Sequence, residues 1–162
     1  EHPTPTLIMR AAPVPDSSET PVRVILANTI RRNEYSPLSC IKSANYGDNL
    51  LALMEAKKAG FDDAILLNSK GHITCATTSN VFIEENGRLY TPPLSDGVLD
   101  GITRDLICEH LAAKEEAITS ERLLKSDGVY LTNSIAGVRP ANINGKFLGS
   151  LLEDMKAAIA TE

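Results

Sequence analysis

The sequence is short of cysteine, of positive charge and of long apolar runs, and each shortage excludes a class of protein. Its three cysteines, Cys40, Cys75 and Cys108, are an odd number without CxxC spacing. This excludes a disulfide framework and favours a reducing, cytoplasmic compartment. The net charge of −5 argues against nucleic acid or an anionic membrane as a partner, because both require a basic face. A small-molecule ligand is the better expectation.

Patterns for membrane spans, secretion and metal binding are also missing. No apolar run approaches the roughly 20 residues that span a bilayer, and the first residues do not resemble a secretory signal. The three histidines, His2, His72 and His110, lie far apart and lack ligand spacing, so no metal site is predicted. With 162 residues, 43% of them hydrophobic and 23% charged, the chain is long enough for one globular domain with a real core.

The N-terminal residues differ from the rest of the chain. The sequence begins Glu1-His2-Pro3-Thr4-Pro5 without methionine, and a strand-like run over residues 6–10 follows directly. We interpret residues 1–15 as a linker and first strand that enter from a missing N-terminal domain. Residues 16–162 are then predicted to form one larger, ligand-binding domain.

Short runs rich in Val, Ile and Leu predict strands over residues 7–9, 22–27, 64–67, 73–75, 81–83, 89–91 and 129–132. Helical periodicity predicts helices over residues 49–59, 103–113, 120–125 and 150–160, with Ser120 and Ser150 as caps. Asn86-Gly87 and Ser69-Lys70-Gly71 predict tight hairpin turns. This irregular alternation predicts an α+β (mixed α/β) domain, with a barrel-like mixed sheet and flanking helices.

Lys42 is the candidate nucleophile. Most lysines are solvated surface residues, but Lys42 lies among small and apolar residues, after Cys40-Ile41 and before Ser43-Ala44. We therefore expect its amine to face a dry cleft, where burial favours the neutral form. A neutral amine in such a cleft is a nucleophile toward an aldehyde.

Two further clusters offer hydrogen-bond donors to an anion. Gly101-Ile102-Thr103 opens a predicted helix, where free backbone N–H groups and a hydroxyl can bind phosphate. The alternative is that Thr103 is only a helix cap. Asn133-Ser134 follows a predicted strand, at the kind of place where ligands often bind. The alternative for this pair is a simple turn.

Together these residues resemble the class IV family of pyridoxal phosphate enzymes, which comprises branched-chain aminotransferases, D-amino acid aminotransferases and aminodeoxychorismate lyases. The resemblance runs from about residue 6 to the end of the chain. Its motifs are Lys42-Ser43-Ala44-Asn45-Tyr46, Ser79-Asn80-Val81-Phe82, Tyr90-Thr91-Pro92, Leu99-Asp100-Gly101-Ile102-Thr103-Arg104 and Asn133-Ser134-Ile135-Ala136-Gly137-Val138-Arg139-Pro140. The resemblance implies the larger domain of a fold-type IV enzyme.

The resemblance also implies a role for each candidate residue. Lys42 would hold pyridoxal 5'-phosphate as a Schiff base and then move a proton, and Tyr46 would hydrogen-bond the ring oxygen of the cofactor. Ile102, Thr103 and Ser134, with Asn133 beside them, would hold the phosphate. Cys75 stands five residues before Asn80, where members of this family have a glutamate that pairs with the protonated pyridine nitrogen.

The cysteine at this position affects which reaction is expected. A neutral thiol offers the pyridine nitrogen only a weak hydrogen bond, so the cofactor ring should withdraw electrons less strongly. This weighs against transamination and less against an elimination such as the loss of pyruvate from 4-amino-4-deoxychorismate to give 4-aminobenzoate. The run from Asn133 to Pro140 also resembles the lyase pattern more than the transaminase patterns.

We therefore predict a pyridoxal phosphate-dependent lyase that acts on a small-molecule amine. Two alternatives stay open: a class IV aminotransferase for branched-chain or D-amino acids, and a pseudoenzyme or interaction domain. The resemblance further implies a homodimer, and a smaller N-terminal domain that supplies an arginine for the cofactor phosphate. Nothing in the chain replaces that domain, so the activity of the 162 residues alone stays open.

Overall fold

The computed structural model describes residues 6–13, 20–143, 145 and 149–160. Eight strands are β1 (Val22–Arg32), β2 (Asp63–Asn68), β3 (Ile73–Ala76), β4 (Asn80–Glu85), β5 (Arg88–Thr91), β6 (Lys114–Glu115), β7 (Gly128–Asn133) and β8 (Gly137–Asn142). Four α-helices are α1 (Gly47–Lys58), α2 (Ile102–Leu111), α3 (Ser120–Lys125) and α4 (Leu152–Ala160). Short 3-10 helices cover Pro37–Cys40 and Leu94–Asp96.

The strands form one mixed sheet that closes on itself. Their order is β3-β2-β1-β8-β7-β4-β5-β6, and an additional pairing joins β3 to β4. That pairing, between Cys75 and Asn80, closes six strands into a ring, while β5 and β6 extend the sheet beyond β4. The β1–β2 and β1–β8 pairs are parallel, and β2–β3, β4–β7 and β7–β8 are antiparallel. The predicted barrel-like mixed sheet with flanking helices is confirmed.

Aliphatic side chains form three buried clusters, because alternate residues of each strand point to opposite faces. The largest, which includes Val24, Ile65, Ile83 and Leu131, joins residues of β1, β2, β4 and β7. A second packs Phe82 and Tyr130 of the sheet against Ile107 of α2 and Met155 of α4. The third packs Ala52 and Ala56 of α1 against Ala27, Ala64 and Leu66 of β1 and β2. Helices therefore cover the sheet while the ring of strands keeps a core of its own.

Both predicted hairpin turns are present. Asn86 and Gly87 have φ values of 51° and 69°, the positive pair that a type I′ turn requires. Gly71, at the turn between β2 and β3, has a φ of 81°. The four predicted helices also occur, each within a few residues of its expected bounds. Among the described residues, no helix has both the length and the apolar character needed to cross a membrane.

Several local predictions were wrong. Residues 7–9 form no strand, because no described strand lies beside them, and all three side chains are more than 80% exposed. Thr119 rather than Ser120 caps α3, and its hydroxyl accepts from the Arg122 N–H at 3.2 Å. Ser150 does not cap α4 but binds Glu84, to which its Oγ donates at 2.5 Å. Residues 1–5 and 14–15 of the predicted linker lie outside the described part of the chain.

Two strands were missed, β6 and β8. The proline in β8 argues against a strand, since proline cannot donate a ladder hydrogen bond. β8 meets β1 only at Ala141 and Asn142. Pro140 is paired with Tyr130 of β7 alone. A strand with a neighbour on one side at this point accommodates the proline.

Candidate active site

Lys42 lies in the irregular segment between the 3-10 helix Pro37–Cys40 and the start of α1. Its Nζ is 6.0 Å from the centroid of the Tyr46 ring, so the two predicted cofactor residues face each other. Lys42 is nevertheless exposed, and Leu38 and Ile41 beside it are 54% and 55% exposed. The described residues therefore do not form the dry cleft expected around its amine.

Cys75 is buried on β3, directly opposite Asn80 of β4, with 6% of its surface exposed. Thr74 Oγ1 donates to its sulfur at 3.6 Å. Burial raises the pKa of the Cys75 thiol, and the nearby positive charge of Arg32 offsets part of that effect. The thiol is therefore neutral at neutral pH, as the sequence argument assumed.

Asn80 connects the β3–β4 turn to the N-terminus of α2. Its Nδ2 donates to the Leu99 carbonyl at 2.8 Å, and this carbonyl lies two residues before Gly101. Gly101 is packed against the same side chain, because a Cβ at this position would overlap Asn80 Oδ1 and lie 3.4 Å from Asn80 Cγ. Glycine is thus required here by close approach, since its φ of −97° is open to any residue.

The N-terminus of α2 is free of a side-chain cap. Gly101 is the N-cap residue and offers no side chain, so the first N–H groups of the helix have no capping partner of that kind. Thr103 is buried inside the first turn, and the alternative that it serves as the N-cap is wrong. Ile102 is 71% exposed. This arrangement is typical of an anion-binding helix N-terminus.

The Asn133 side chain, at the end of β7, stabilises the turn that follows it and also hydrogen-bonds the β3–β4 turn. Its Oδ1 accepts from the N–H groups of Ile135 and Ala136 at 3.0 and 2.7 Å. Its Nδ2 donates to Ser79 Oγ at 3.1 Å, which ties this turn to the β3–β4 turn. The turn interpretation is therefore right for the Asn133 carboxamide, while Ser134 is exposed.

The tertiary structure brings four of the five motifs together around the β3–β4 turn, namely those that contain Lys42, Asn80, Gly101 and Asn133. Asn133 reaches Ser79 on one side of that turn, and Asn80 reaches the approach to α2. On the other side, Asn49 of α1 donates through Nδ2 to the Thr77 carbonyl at 2.6 Å, which connects the turn to the segment that carries Lys42 and Tyr46. Asn49 was not predicted as a site residue. Its sequence signal is modest: a polar residue three positions after Tyr46, in the first turn of a helix.

These residues fit most of a pyridoxal phosphate molecule. The uncapped N-terminus of α2 and the exposed Ser134 are of the donor type that suits a phosphate, and the Lys42 Nζ lies 6.0 Å from the centroid of the Tyr46 ring, as an aldehyde-binding pair would require. The hydroxyl of Thr132, directly before Asn133, is buried and has no hydrogen-bond partner within the described residues. Position 75 is the exception, because a protonated pyridine nitrogen binds best to a carboxylate and this position holds a thiol.

Both the sequence and the fold match known proteins of one family. The family model for amino-transferase class IV matches residues 1–143. A protein of Methanocaldococcus jannaschii, inferred to be a branched-chain-amino-acid aminotransferase, is 34% identical over 165 residues, which cover 94% of this chain and 57% of the relative.

Two solved structures have the same fold. A Legionella pneumophila protein, inferred to be a 4-amino-4-deoxychorismate lyase, matches with a TM-score of 0.80 and 36% identity, over 88% of this chain and 56% of that one. The branched-chain amino acid aminotransferase of Thermobaculum terrenum, solved with PLP bound, matches with a TM-score of 0.76 and 28% identity, over 86% of this chain and 49% of that one. The chain thus spans about half the length of the proteins it matches.

Proposed function

Because the chain belongs to the class IV aminotransferase family, we propose that it is the larger domain of a pyridoxal phosphate-dependent lyase resembling aminodeoxychorismate lyase. The family, the fold and the enzyme class predicted from the sequence are confirmed. Pyridoxal phosphate is the cofactor, as predicted. The substrate and the roles of individual residues are our proposals.

When bound, the cofactor supplies an aldehyde that condenses with amines and a ring that withdraws electrons from the amine-bearing carbon. In our proposal Lys42 anchors the cofactor through its amine, and Tyr46, whose ring lies beside that amine, hydrogen-bonds the ring oxygen. The N–H groups of Ile102 and Thr103, with the hydroxyls of Thr103 and Ser134, bind the phosphate. Asn133 holds this turn against Ser79.

The buried, neutral Cys75 is the observation that carries the choice of a lyase. A thiol whose pKa is raised by burial cannot supply the negative charge that keeps a pyridine nitrogen protonated. Transamination depends on that charge more than an elimination does. In the proposed reaction, the substrate amine takes the place of Lys42 on the cofactor, and the freed Lys42 Nζ then removes the proton from the amine-bearing carbon of 4-amino-4-deoxychorismate. The ring then becomes aromatic as its C–O bond breaks, and the released enolpyruvyl group takes up a proton to become pyruvate.

An aminotransferase for branched-chain or D-amino acids is the second candidate, and the comparisons support it equally at the level of the family. The M. jannaschii relative and the T. terrenum structure are both described as branched-chain aminotransferases. The two candidates differ in their products. One releases pyruvate and an aromatic amine from a single substrate, and the other exchanges an amino group between two.

The test is product analysis with the protein expressed from its complete reading frame. We expect 4-aminobenzoate and pyruvate in equal amounts from 4-amino-4-deoxychorismate, and no amino transfer from leucine or D-alanine to 2-oxoglutarate. Amino transfer without 4-aminobenzoate would overturn the lyase in favour of the aminotransferase. Borohydride reduction in the presence of pyridoxal phosphate, followed by peptide mass analysis, should place the adduct on Lys42. An adduct absent from Lys42 would contradict the site itself.

We further propose that a smaller N-terminal domain covers Lys42 and supplies the missing phosphate-binding arginine. The exposed Leu38 and Ile41 beside Lys42 support this, because large apolar side chains next to a polar site are usually covered.

We also propose a cytoplasmic homodimer. The cytoplasmic location is supported by the three cysteines, which are all free thiols. The homodimer is supported by α1, which buries alanines while its larger side chains Leu50, Leu51 and Met54 are 57%, 52% and 65% exposed. Light scattering would test the dimer.

A further inference from the structure

We propose that Arg32 is a positioning residue of this site, which holds the Lys42 segment and the segment leading into α2 at a fixed separation. All three guanidinium nitrogens donate, each to a different part of the chain. Nη2 donates to the Ser39 carbonyl at 2.5 Å, three residues before Lys42. Nε donates to the Gly97 carbonyl at 2.7 Å, in the loop that leads to Gly101.

The third contact extends this network to the remaining motifs. Arg32 Nη1 lies 3.4 Å from Asn49 Oδ1, and the other end of the same carboxamide donates to the Thr77 carbonyl at 2.6 Å. Thr77 belongs to the turn that presents Asn80 to the α2 approach and Ser79 to Asn133. A single side chain at the end of β1 thus connects, directly or through Asn49, the segments that carry every proposed cofactor contact.

The charge and shape of the guanidinium suit this role. Its donors form a rigid planar fork, so three acceptors held by it keep fixed directions as well as distances. The acceptors are the Ser39 carbonyl, in the last turn of one short 3-10 helix, the Gly97 carbonyl, directly after another, and the Asn49 carboxamide. Carbonyls at such helix ends have no further helical N–H to bind, so the guanidinium supplies their donor. Lysine at this position would keep the charge, but its single ammonium cannot reach three acceptors in different directions.

Arg31 provides a matched control next to it in the sequence. Its Nη1 also donates to carbonyls, but these belong to Ala27, Asn28 and Ile30 of its own strand. Replacing Arg31 with methionine therefore removes one positive charge from the same strand end, and replacing it with lysine keeps that charge, in both cases without releasing a site segment. Any effect found for Arg32 and not for Arg31 comes from the connections and not from the charge.

The role of Arg32 in holding Lys42 for its reaction rests on the proposed function, whereas its effect on the segments can be measured without any cofactor. We would follow backbone hydrogen exchange of the 162-residue chain for Arg32→Lys, Arg32→Met and the same two substitutions at Arg31. Reporter amides are Ser39, which bonds to the Ser36 carbonyl, and Gly97, which bonds to the Leu94 carbonyl. The amide of Leu131 in β7 reports on the core.

We expect exchange at Ser39 and Gly97 to rise at least tenfold in Arg32→Lys and more in Arg32→Met, with Leu131 unchanged. Both Arg31 variants should stay within twofold of wild type at all three amides. Equal exchange in Arg31 and Arg32 variants, or a uniform rise that includes Leu131, would overturn the proposal. If Arg32→Met does not fold, the exchange rates of Arg32→Lys and Asn49→Ala test the proposal instead. Asn49→Ala should raise exchange in the 77–80 turn and leave Gly97 within twofold.

A second measurement links the network to Lys42. The yield of the borohydride-trapped pyridoxal phosphate adduct on Lys42, at limiting cofactor, should fall at least fivefold in Arg32→Lys and stay within twofold in Arg31→Lys. An unchanged yield in Arg32→Lys would overturn the positioning role. A wild-type protein that forms no adduct would instead refute the proposed function, and the exchange result would still decide what Arg32 holds.

Discussion

Replacing Gly101 with alanine tests the close approach on which the site geometry depends. The backbone at Gly101, with φ −97° and ψ 134°, suits alanine, so the substitution adds no conformational strain. The new Cβ would overlap Asn80 Oδ1. Either Asn80 turns away and loses its 2.8 Å bond to the Leu99 carbonyl, or the N-terminus of α2 moves outward.

The size of the effect follows from these contacts. Asn80 is 6% exposed, so a displaced carboxamide would leave a buried donor without a partner, which costs about 1–3 kcal/mol. Overpacking adds a cost of similar size when the backbone takes up the shift. The Asn80 side chain and the N-terminus of α2 cannot both move fully, so the two costs do not add in full. We therefore expect a loss of about 2–3 kcal/mol in the free energy of unfolding. For a domain of this size, that lowers the melting temperature by roughly 4–12 °C.

Thermal unfolding followed by circular dichroism is the assay, and Gly47→Ala is the matched control. Gly47 is the first residue of α1, and a Cβ there would meet nothing within 4 Å. Alanine also has the higher helix propensity, so this variant should melt at or slightly above the wild-type temperature. The adduct yield on Lys42 should fall in Gly101→Ala alone. A Gly101→Ala protein that melts within 1–2 °C of wild type, a shift expected of less than about 1 kcal/mol, would refute the proposed close approach.

Two further predictions concern buried groups at positions 84 and 75. Glu84 accepts hydrogen bonds from the Tyr130 hydroxyl, from Ser150 and from the Leu151 N–H, and these hold its pKa below the usual range although burial acts against them. Glu84→Gln should therefore lower the free energy of unfolding by about 2–4 kcal/mol at neutral pH. A depressed carboxyl pKa contributes stability above the unfolded-state value, about 4.3, and loses it as the pH falls through the folded-state value. The difference in the free energy of unfolding between Glu84→Gln and wild type, measured by urea unfolding, should thus be constant above about pH 5.5 and become smaller at lower pH. A difference that grows in acid would contradict this. Glu153→Gln, at an exposed site, serves as control. Cys75→Glu, tested in the protein from the complete reading frame, should increase amino transfer at least tenfold relative to 4-aminobenzoate release, because a carboxylate restores the charge opposite the pyridine nitrogen. No turnover of either kind in wild type or Cys75→Glu would favour the pseudoenzyme, whereas Cys75→Ser should leave the product ratio unchanged.

Local chemistry explains why so much of the fold was predictable. Short runs rich in Val, Ile and Leu place β1 to β5 and β7, the Asn-Gly pair determines the β4–β5 turn, and helical periodicity places the four described helices. These signals depend on residues close in sequence. The predictions at residues 7–9 and at β8 were wrong for the complementary reason. A strand exists only where another strand pairs with it. Residues 7–9 have no partner strand within the part of the chain that the structure describes, and Pro140 is paired on one side only; neither fact is visible locally.

Some features of the site were likewise predictable from the sequence, and others were not. Residue order by itself determined the family, the cofactor and the motifs that include Lys42, because a set of spaced motifs is specific even when each member is weak. Tertiary structure alone decided that Asn80 meets Gly101, that Asn49 reaches Thr77 and that Arg32, unlike Arg31, connects the motif-bearing segments. The physical reason is that these contacts join residues up to 65 positions apart. The hydrogen bonds among them end on backbone carbonyls, which every residue carries and which therefore leave no mark in the sequence.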